Sequence, residues 1–267
     1  MVRATRRLLV VLGAVALLVG SAVAHQCPTM LGDCKIDGCN PKAKDSTSGL
    51  HIIVNHRKRT WPPKGQAEPL TLDDFASFQA AASKLISPPK KMLGDEDSRK
   101  LIKHLRAPSS NTFVSEGDLV QVAGYLVGLP KRPTAEQGEA VNCGLRGEKN
   151  SDYHIPIARE PTHSEFQAIV VEMIPQRRPA SWTLDMLKGI ATTRQQVLIR
   201  GQLFYDKRHL VNEDENNPKT GQPKRFSLWE VHPVTEFFVC EKSSCDYRDS
   251  GDWKEMGKVT YQKAGPE

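Results

Sequence analysis

The chain has 267 residues, a formal charge of +6 and six cysteines. Three arginines and no acidic residues lie in the first 24 positions, so the remainder carries only +3 (6 − 3). That charge is too small for a dedicated nucleic-acid binder, which is strongly basic. No stretch after these 24 residues approaches the ~20 apolar residues of a transmembrane helix.

The first 24 residues have the three parts of a secretory signal peptide. Three arginines precede the uncharged run 8–19, and Ala22, Val23 and Ala24 supply the small residues of a cleavage site. We therefore expect a secreted or periplasmic protein that begins near His25 after cleavage.

All six cysteines follow the predicted cleavage site, and an even number in an exported chain favours disulfides. Cys240 and Cys245 enclose a short loop, and we predict that they pair. Cys27, Cys34 and Cys39 lack the paired C-x-x-C spacing of a zinc site. The pairing of the other cysteines stays open, because spacing alone does not determine it.

Residues 25–110 are predicted to form a cysteine-containing arm with one or two helices. The apolar run 50–54 is interpreted as an edge strand in an otherwise irregular segment. Residues 71–74, T-L-D-D, resemble a capping box, and the apolar residues that follow at helical spacing predict an amphipathic helix over 72–86. A weaker apolar stripe predicts a second helix over 95–105.

From residue 118 the apolar period changes to two, which is typical of strands. The strands are predicted over 119–129, 153–158, 166–174, 196–205 and 225–240. A helix capped by Ser181 is predicted between the third and fourth strands. This order predicts a mainly β (α+β) domain over 111–245, a five-stranded OB-like barrel with one helix between strands 3 and 4, and Gly124 and Gly201 fit its sharp coiling. A mixed sheet with the same element order is the alternative, and a charged tail follows over 246–267.

The last predicted strand has one apolar and one polar side. Trp229 and Val231 lie on the apolar side, whereas Glu230 and His232 point the other way. We interpret this strand as part of a half-covered sheet, with Trp229 in the core and the His232 imidazole at an accessible surface. Replacement of His232 is then expected to cost little stability.

Several carboxylates and imidazoles lie on the polar sides of the predicted strands. Asp152 and His154 are two residues apart, and Glu172 alternates with apolar neighbours in V-V-E-M. If three strands bring them together with His232, the four side chains form a candidate site for a hard or borderline divalent ion. Glu230 and His209 are the candidate catalytic residues, as a general acid and base. The alternative is a set of ordinary charged and hydrogen-bonded residues on the outward side of exposed strands.

The motifs D-x-H-I, V-V-E-M-I-P and W-E-V-H-P-V occur in this order within residues 118–240. They resemble a group of uncharacterised exported bacterial proteins with an OB-like region. That group has no established activity, so the resemblance implies no mechanism. The arm before residue 110 lies outside it.

OB barrels often bind single strands of nucleic acid through aromatic and basic side chains. The candidate ligand contacts here are Tyr125, Tyr153 and Arg225, with the basic run 56–61 either beside them or simply a solvated loop. An oligosaccharide or a peptide is equally compatible as the ligand. The chain has no G-x-S-x-G, no glycine-rich phosphate loop and no H-E-x-x-H motif.

Our leading hypothesis is an exported OB-like ligand-binding or interaction protein. The alternative is a metal-dependent hydrolase of the phosphodiesterase or nuclease type that uses the carboxylate and histidine cluster. The sequence leaves open whether the protein is an enzyme.

Overall fold

The computed structural model describes residues 26–39, 48–85, 99–131, 138–206, 211 and 224–259. The predicted signal peptide and His209 lie outside these residues. The described helices are α1 (Ser48–Arg59), α2 (Leu72–Leu85) and α3 (Leu184–Thr193). The described strands are β1 (Glu68–Leu70), β2 (Leu105–Ala107), β3 (Thr112–Val114), β4 (Leu119–Leu126), β5 (Tyr153–Ala158), β6 (Ala168–Met173), β7 (Gln196–Tyr205), β8 (Trp229–Cys240) and β9 (Trp253–Glu255).

Five strands close into a barrel, which confirms the prediction of a sheet-rich α+β fold with a five-stranded barrel. β4 pairs with β5 and β7, β5 pairs with β6, and β7 pairs with β8, all antiparallel. β6 and β8 pair in parallel and complete the closure. In the chain, α3 follows the third barrel strand and precedes the fourth.

Alternating apolar residues of the barrel strands point inward and form the core. Trp229 and Val231 of β8 are fully buried there, and Phe75 and Phe78 of α2 pack against the same cluster. Trp229 lies 6.0 Å from Phe78 and 5.0 Å from Tyr205, measured between ring centroids. The interior is therefore apolar, and the polar members of the strands lie on its outer face.

At Gly201 the backbone of β8 approaches β7 closely. A Cβ atom at this position would lie 2.3 Å from the carbonyl oxygen of Pro233, and the pairing of the two strands shifts register beside it. Only glycine fits such a close approach of two backbones. The glycine interruption in this predicted strand therefore corresponds to a bulge in the barrel wall.

The arm differs from its prediction in two places. Residues 50–54 belong to α1 and not to an edge strand. The basic residues in the last turn of α1 favour the helix, because they lie at the negative end of its dipole. In the predicted helix 95–105, the described part forms a 3-10 turn over Lys100–Ile102 and enters β2 at Leu105.

The two predicted caps have different outcomes. At the start of α2, Thr71 Oγ1 accepts a hydrogen bond from the Asp74 backbone, and Asp74 Oδ2 accepts one from the Thr71 backbone at 2.7 Å. This reciprocal pair confirms the capping box. The cap of α3 is Thr183 and not Ser181, because Thr183 Oγ1 accepts the hydrogen bond from the Met186 amide at 3.2 Å.

All six cysteines form disulfides: Cys240 with Cys245, as predicted, Cys27 with Cys39, and Cys34 with Cys143. Three disulfides indicate an oxidising environment, extracellular or periplasmic.

Among the described helices, none combines the length and apolar character needed to cross a membrane. Part of the charged tail is ordered, since β9 pairs with β8.

Replacing Trp229 with Ala is expected to lower the free energy of unfolding by roughly 3 to 5 kcal/mol, because a large buried ring is removed. Phe113, which is 63% exposed on β3, provides the control. Its replacement with Ala should change stability by no more than about 0.5 kcal/mol. Equal losses in a denaturant titration would contradict the placement of Trp229 in the core.

Serine substitution can compare the stabilisation from a long-range disulfide with that from a short-range one. The Cys34–Cys143 pair spans 109 residues and the Cys240–Cys245 pair spans 5. By loop-closure entropy, losing the first should cost about 5 kcal/mol and losing the second about 2 kcal/mol. Denaturant unfolding of the two double serine variants measures this difference, and a larger loss for the short loop would be the contrary result.

Candidate metal centre

Strand register places three of the predicted residues at one level of the barrel wall. His154 of β5 is paired directly with Glu172 of β6. Val171 of β6 is paired with Val231 of β8, and these strands are parallel, so Glu172 and His232 come next at the same level. Asp152, two residues before His154, lies on the same side of the chain.

The side chains meet around Glu172. His232 Nδ1 lies 2.8 Å from Glu172 Oε2, and His154 Nε2 lies 3.3 Å from Glu172 Oε1. Asp152 Oδ2 lies 3.8 Å from His232 Nε2. One ligand atom each from Asp152, Glu172 and His232 lies within 4.8 Å of the other two.

This centre is buried, so the expectation of an accessible His232 is wrong. The alternation itself holds, because Trp229 and Val231 face the core while Glu230 and His232 occupy the outer face. That outer face is covered as well, and both Glu230 and His232 are 0% exposed. The sheet is therefore covered on both sides here, and replacement of His232 should be costly.

The covering layer comes from the arm and from a loop that the arm holds. Lys58 of α1 lies 2.6 Å from Asp206 and 4.0 Å from Glu172. The backbone carbonyl of Arg57 accepts a hydrogen bond from Gln202 of β7 at 2.9 Å. Within the basic run that the sequence allowed as a solvated loop or a ligand contact, Arg57 and Lys58 therefore pack against the barrel, whereas His56 is exposed.

The loop over the centre contacts Asp152 directly. Asn142 Nδ2 donates to Asp152 Oδ1 at 2.9 Å, and the Asp152 amide donates to Glu139 Oε2 at 3.0 Å. The Cys34–Cys143 disulfide joins this loop to the arm, and the Cys39 amide donates to the carbonyl of Ala140. Glu139 also lies 3.7 Å from His154, and these two side chains, 21% and 12% exposed, form the edge of the centre nearest to solvent.

Several buried atoms at the centre lack a hydrogen-bond partner among the described residues. They are Asp152 Oδ2, both carboxylate oxygens of Glu172, Glu230 Oε2 and both ring nitrogens of His232. His232 and Glu172 are within ion-pair distance but lack the alignment of a hydrogen bond. Because buried polar atoms are nearly always hydrogen-bonded, each of these atoms requires an explanation.

The electrostatics follow from the burial. Burial, and then the nearby Glu139 carboxylate, raise the pKa of Asp152 to about 7. Burial alone would lower the pKa of His232, but Glu172 and then Glu230 outweigh it and raise that pKa to about 10. Burial would raise the pKa of Glu172, yet His154, His232 and Lys58 hold it well below its usual range.

A second group of carboxylates adjoins the first. Glu172, Asp206 and Glu230 also have ligand atoms within 4.8 Å of one another. Lys58 is the cation beside them, and although burial lowers its pKa, Asp206, Glu172 and Glu230 together raise that pKa well above its usual value. Glu230 Oε1 forms an ion pair with Arg225.

The predicted ligand contacts lie in different surroundings. Arg225 is fully buried in its ion pair with Glu230 and cannot serve as a surface contact. Tyr153 is also buried, with its hydroxyl donating to Glu148 at 2.7 Å and the Arg178 guanidinium 3.5 Å from its ring centroid. Tyr125 on β4 is half-buried. Tyr153 and Arg225 are therefore not exposed for contact with a ligand, and Tyr125 is the more accessible of the three candidates.

The sequence did not indicate that Lys58, Glu139, Asn142 and Asp206 belong to this centre. Asp206 had a usable signal, because it directly follows β7 at the same two-residue period as Gln202 and Phe204. Glu139 and Asn142 lie in a polar loop without periodicity, so no local pattern indicated them.

No protein-family model and no curated protein matches this chain. One solved structure shows a remote similarity, an OBody, AM3L09, bound to hen egg-white lysozyme. The identity is 15% over 46% of this chain and 82% of that chain, with a TM-score of 0.24. This similarity is too weak to carry an argument.

Two glutamates of β8 provide a matched comparison of buried and exposed ion pairs. Glu230→Gln should lower the free energy of unfolding by about 3 to 5 kcal/mol, because it leaves the buried Arg225 without its counter-charge. Glu236→Gln breaks a pair with Arg200 whose side chains are 48% and 36% exposed, and should cost about 0 to 1 kcal/mol. Chemical denaturation of both variants checks the order, and the reverse order would contradict the burial of Glu230.

Proposed function

We propose that this protein is an exported OB-like barrel that binds one divalent metal ion between the barrel wall and the N-terminal arm. The ligands are Asp152, Glu172 and His232. The observation that carries the proposal is the convergence of their buried oxygen and nitrogen atoms, which lack hydrogen-bond partners among the described residues.

A metal ion would account for these atoms. Two carboxylates and one imidazole within 4.8 Å form a donor set for a hard or borderline divalent ion, such as Mn²⁺ or Zn²⁺. Ligand bonds of about 2 Å need only small side-chain adjustments from such separations.

The residues around the ligands fit the same function. Asn142 occupies Asp152 Oδ1 and leaves Oδ2 directed toward His232. His154 lies beside Oε1 of Glu172. Groups of this kind orient metal ligands in proteins and contribute to affinity without touching the ion.

Burial favours binding over catalysis. Asp152, Glu172 and His232 are each 0% exposed. A hydrolase needs a coordination position for water and a path for its substrate. The partly exposed Glu139 and His154 are the feature that keeps a metal-dependent hydrolase as the second candidate, because they lie where such a path would enter.

The coarser parts of the proposal have separate support. Closure of the barrel through a parallel pairing of its third and fifth strands, with a helix after the third, supports the OB-like assignment. The three disulfides support export, and the basic and apolar pattern of residues 1–24 supports a signal peptide as the route.

Calorimetric titration of the chelator-treated protein with Zn²⁺ and with Mn²⁺ tests the metal site. We expect about one equivalent of ion to bind and the melting temperature to rise with ion concentration. Asp152→Asn and Glu172→Gln should weaken binding by at least about tenfold. Glu236→Gln, a substitution of the same kind on the exposed part of β8, should bind as the wild type does.

Circular dichroism of each variant separates lost binding from lost structure. Folded wild-type protein that binds neither ion would overturn the proposal. Turnover of a phosphodiester by the metal-loaded protein, lost in Glu139→Gln, would favour the hydrolase over a binding protein.

A further inference from the structure

The second carboxylate group is built like a metal site but contains a cation supplied by the chain. Glu172, Asp206 and Glu230 lie on three different barrel strands or their ends, β6, β7 and β8. Their ligand atoms lie within 4.8 Å of one another, as in the first group. All three side chains are 0% exposed.

Lys58 places its ammonium group among these carboxylates. Its Nζ lies 2.6 Å from Asp206 Oδ2 and 4.0 Å from Glu172 Oε2. It also lies 5.6 Å from the centroid of the ring of Phe204, which is two residues before Asp206. The position therefore holds one positive charge, on a side chain that reaches in from α1.

Lys58 does not satisfy all the carboxylate oxygens of this group. Glu230 Oε1 is engaged by Arg225, while Glu230 Oε2 is buried without a hydrogen-bond partner among the described residues. Both oxygens of Glu172 also lack a hydrogen bond, although Oε1 lies 3.3 Å from His154 Nε2 and Oε2 lies 2.8 Å from His232 Nδ1. A divalent ion would use oxygens that one ammonium group, 4.0 Å from Glu172, leaves without a hydrogen bond.

We infer that Lys58 is a built-in cation that occupies a second divalent-metal position formed by Glu172, Asp206 and Glu230. The count of one ion in the wild type rests on the proposed function, and both positions use Glu172 as a ligand. The donors of the second position are all carboxylate oxygens, which suit hard ions such as Mn²⁺, Mg²⁺ and Ca²⁺. Lys58 therefore limits the protein to one bound metal ion, although the carboxylates of the protein are arranged to hold two ions.

Replacing Lys58 with Met tests the inference, with Mn²⁺ as the probe. Wild-type protein should bind about one Mn²⁺ and the variant about two, since two adjacent ions can share a bridging carboxylate. Electron paramagnetic resonance should then show spin coupling between the two ions in the variant and none in the wild type. Lys64→Met, which removes an exposed lysine of the same arm, should bind as the wild type does.

A double variant tests the role of Asp206 and protects the experiment against misfolding. Lys58→Met with Asp206→Asn removes both partners of the ion pair, so it should fold and bind about one Mn²⁺. If Lys58→Met folds only when Mn²⁺ is present, while the double variant folds without it, the inference is supported. If Lys58→Met stays unfolded at saturating Mn²⁺ while the double variant folds, the inference is wrong.

The outcomes also separate this inference from the proposed function. One Mn²⁺ in both the wild type and Lys58→Met would overturn the second position alone. No Mn²⁺ in the wild type but one in Lys58→Met, dependent on Asp206, would overturn the proposed centre and keep Lys58 as a substitute cation. No binding by either folded protein would overturn both.

Discussion

The structure depends on the neutralisation of Glu172 and Asp206 under a layer that excludes water. An unpaired carboxylate at such a position is strongly unfavourable, and removal of one partner from a buried pair typically costs about 3 to 5 kcal/mol. Lys58 supplies the positive charge for Asp206, at 2.6 Å, while His232 and His154 lie 2.8 and 3.3 Å from Glu172. The charge pair therefore fixes α1 on the barrel, and the arm and the barrel share one buried polar layer.

The barrel could be predicted from the sequence because its signal is local. The two-residue period of the strands and the apolar face of α2 depend only on neighbouring residues, so β5 and β7 have the predicted bounds. The arm was harder, since the apolar run 50–54 is too short to distinguish a strand from a buried helix. In the structure this run is helical, and Lys58 of the same helix contacts Asp206, a residue far away in the chain.

The candidate centre was predictable in composition but not in exposure. Alternation correctly placed Glu230 and His232 opposite the core, and a polar face normally indicates solvent. Whether another segment covers that face is a question of tertiary structure. Here the cover comes from a basic run that resembled a solvated loop and from the loop with Glu139 and Asn142. That loop is held by a disulfide across 109 residues, which no local pattern indicates.

The two groups of candidate ligands have Glu172 in common. An ion bound with Asp152 and His232 would draw on the negative charge of Glu172, which would weaken the attraction between Glu172 and Lys58. Asp206 is the nearer partner of Lys58, at 2.6 Å against 4.0 Å, so it retains most of the attraction that holds α1. Docking of the arm can therefore persist while Glu172 serves an ion, because the charge that fixes the arm and the charge that binds the ion belong mainly to different carboxylates.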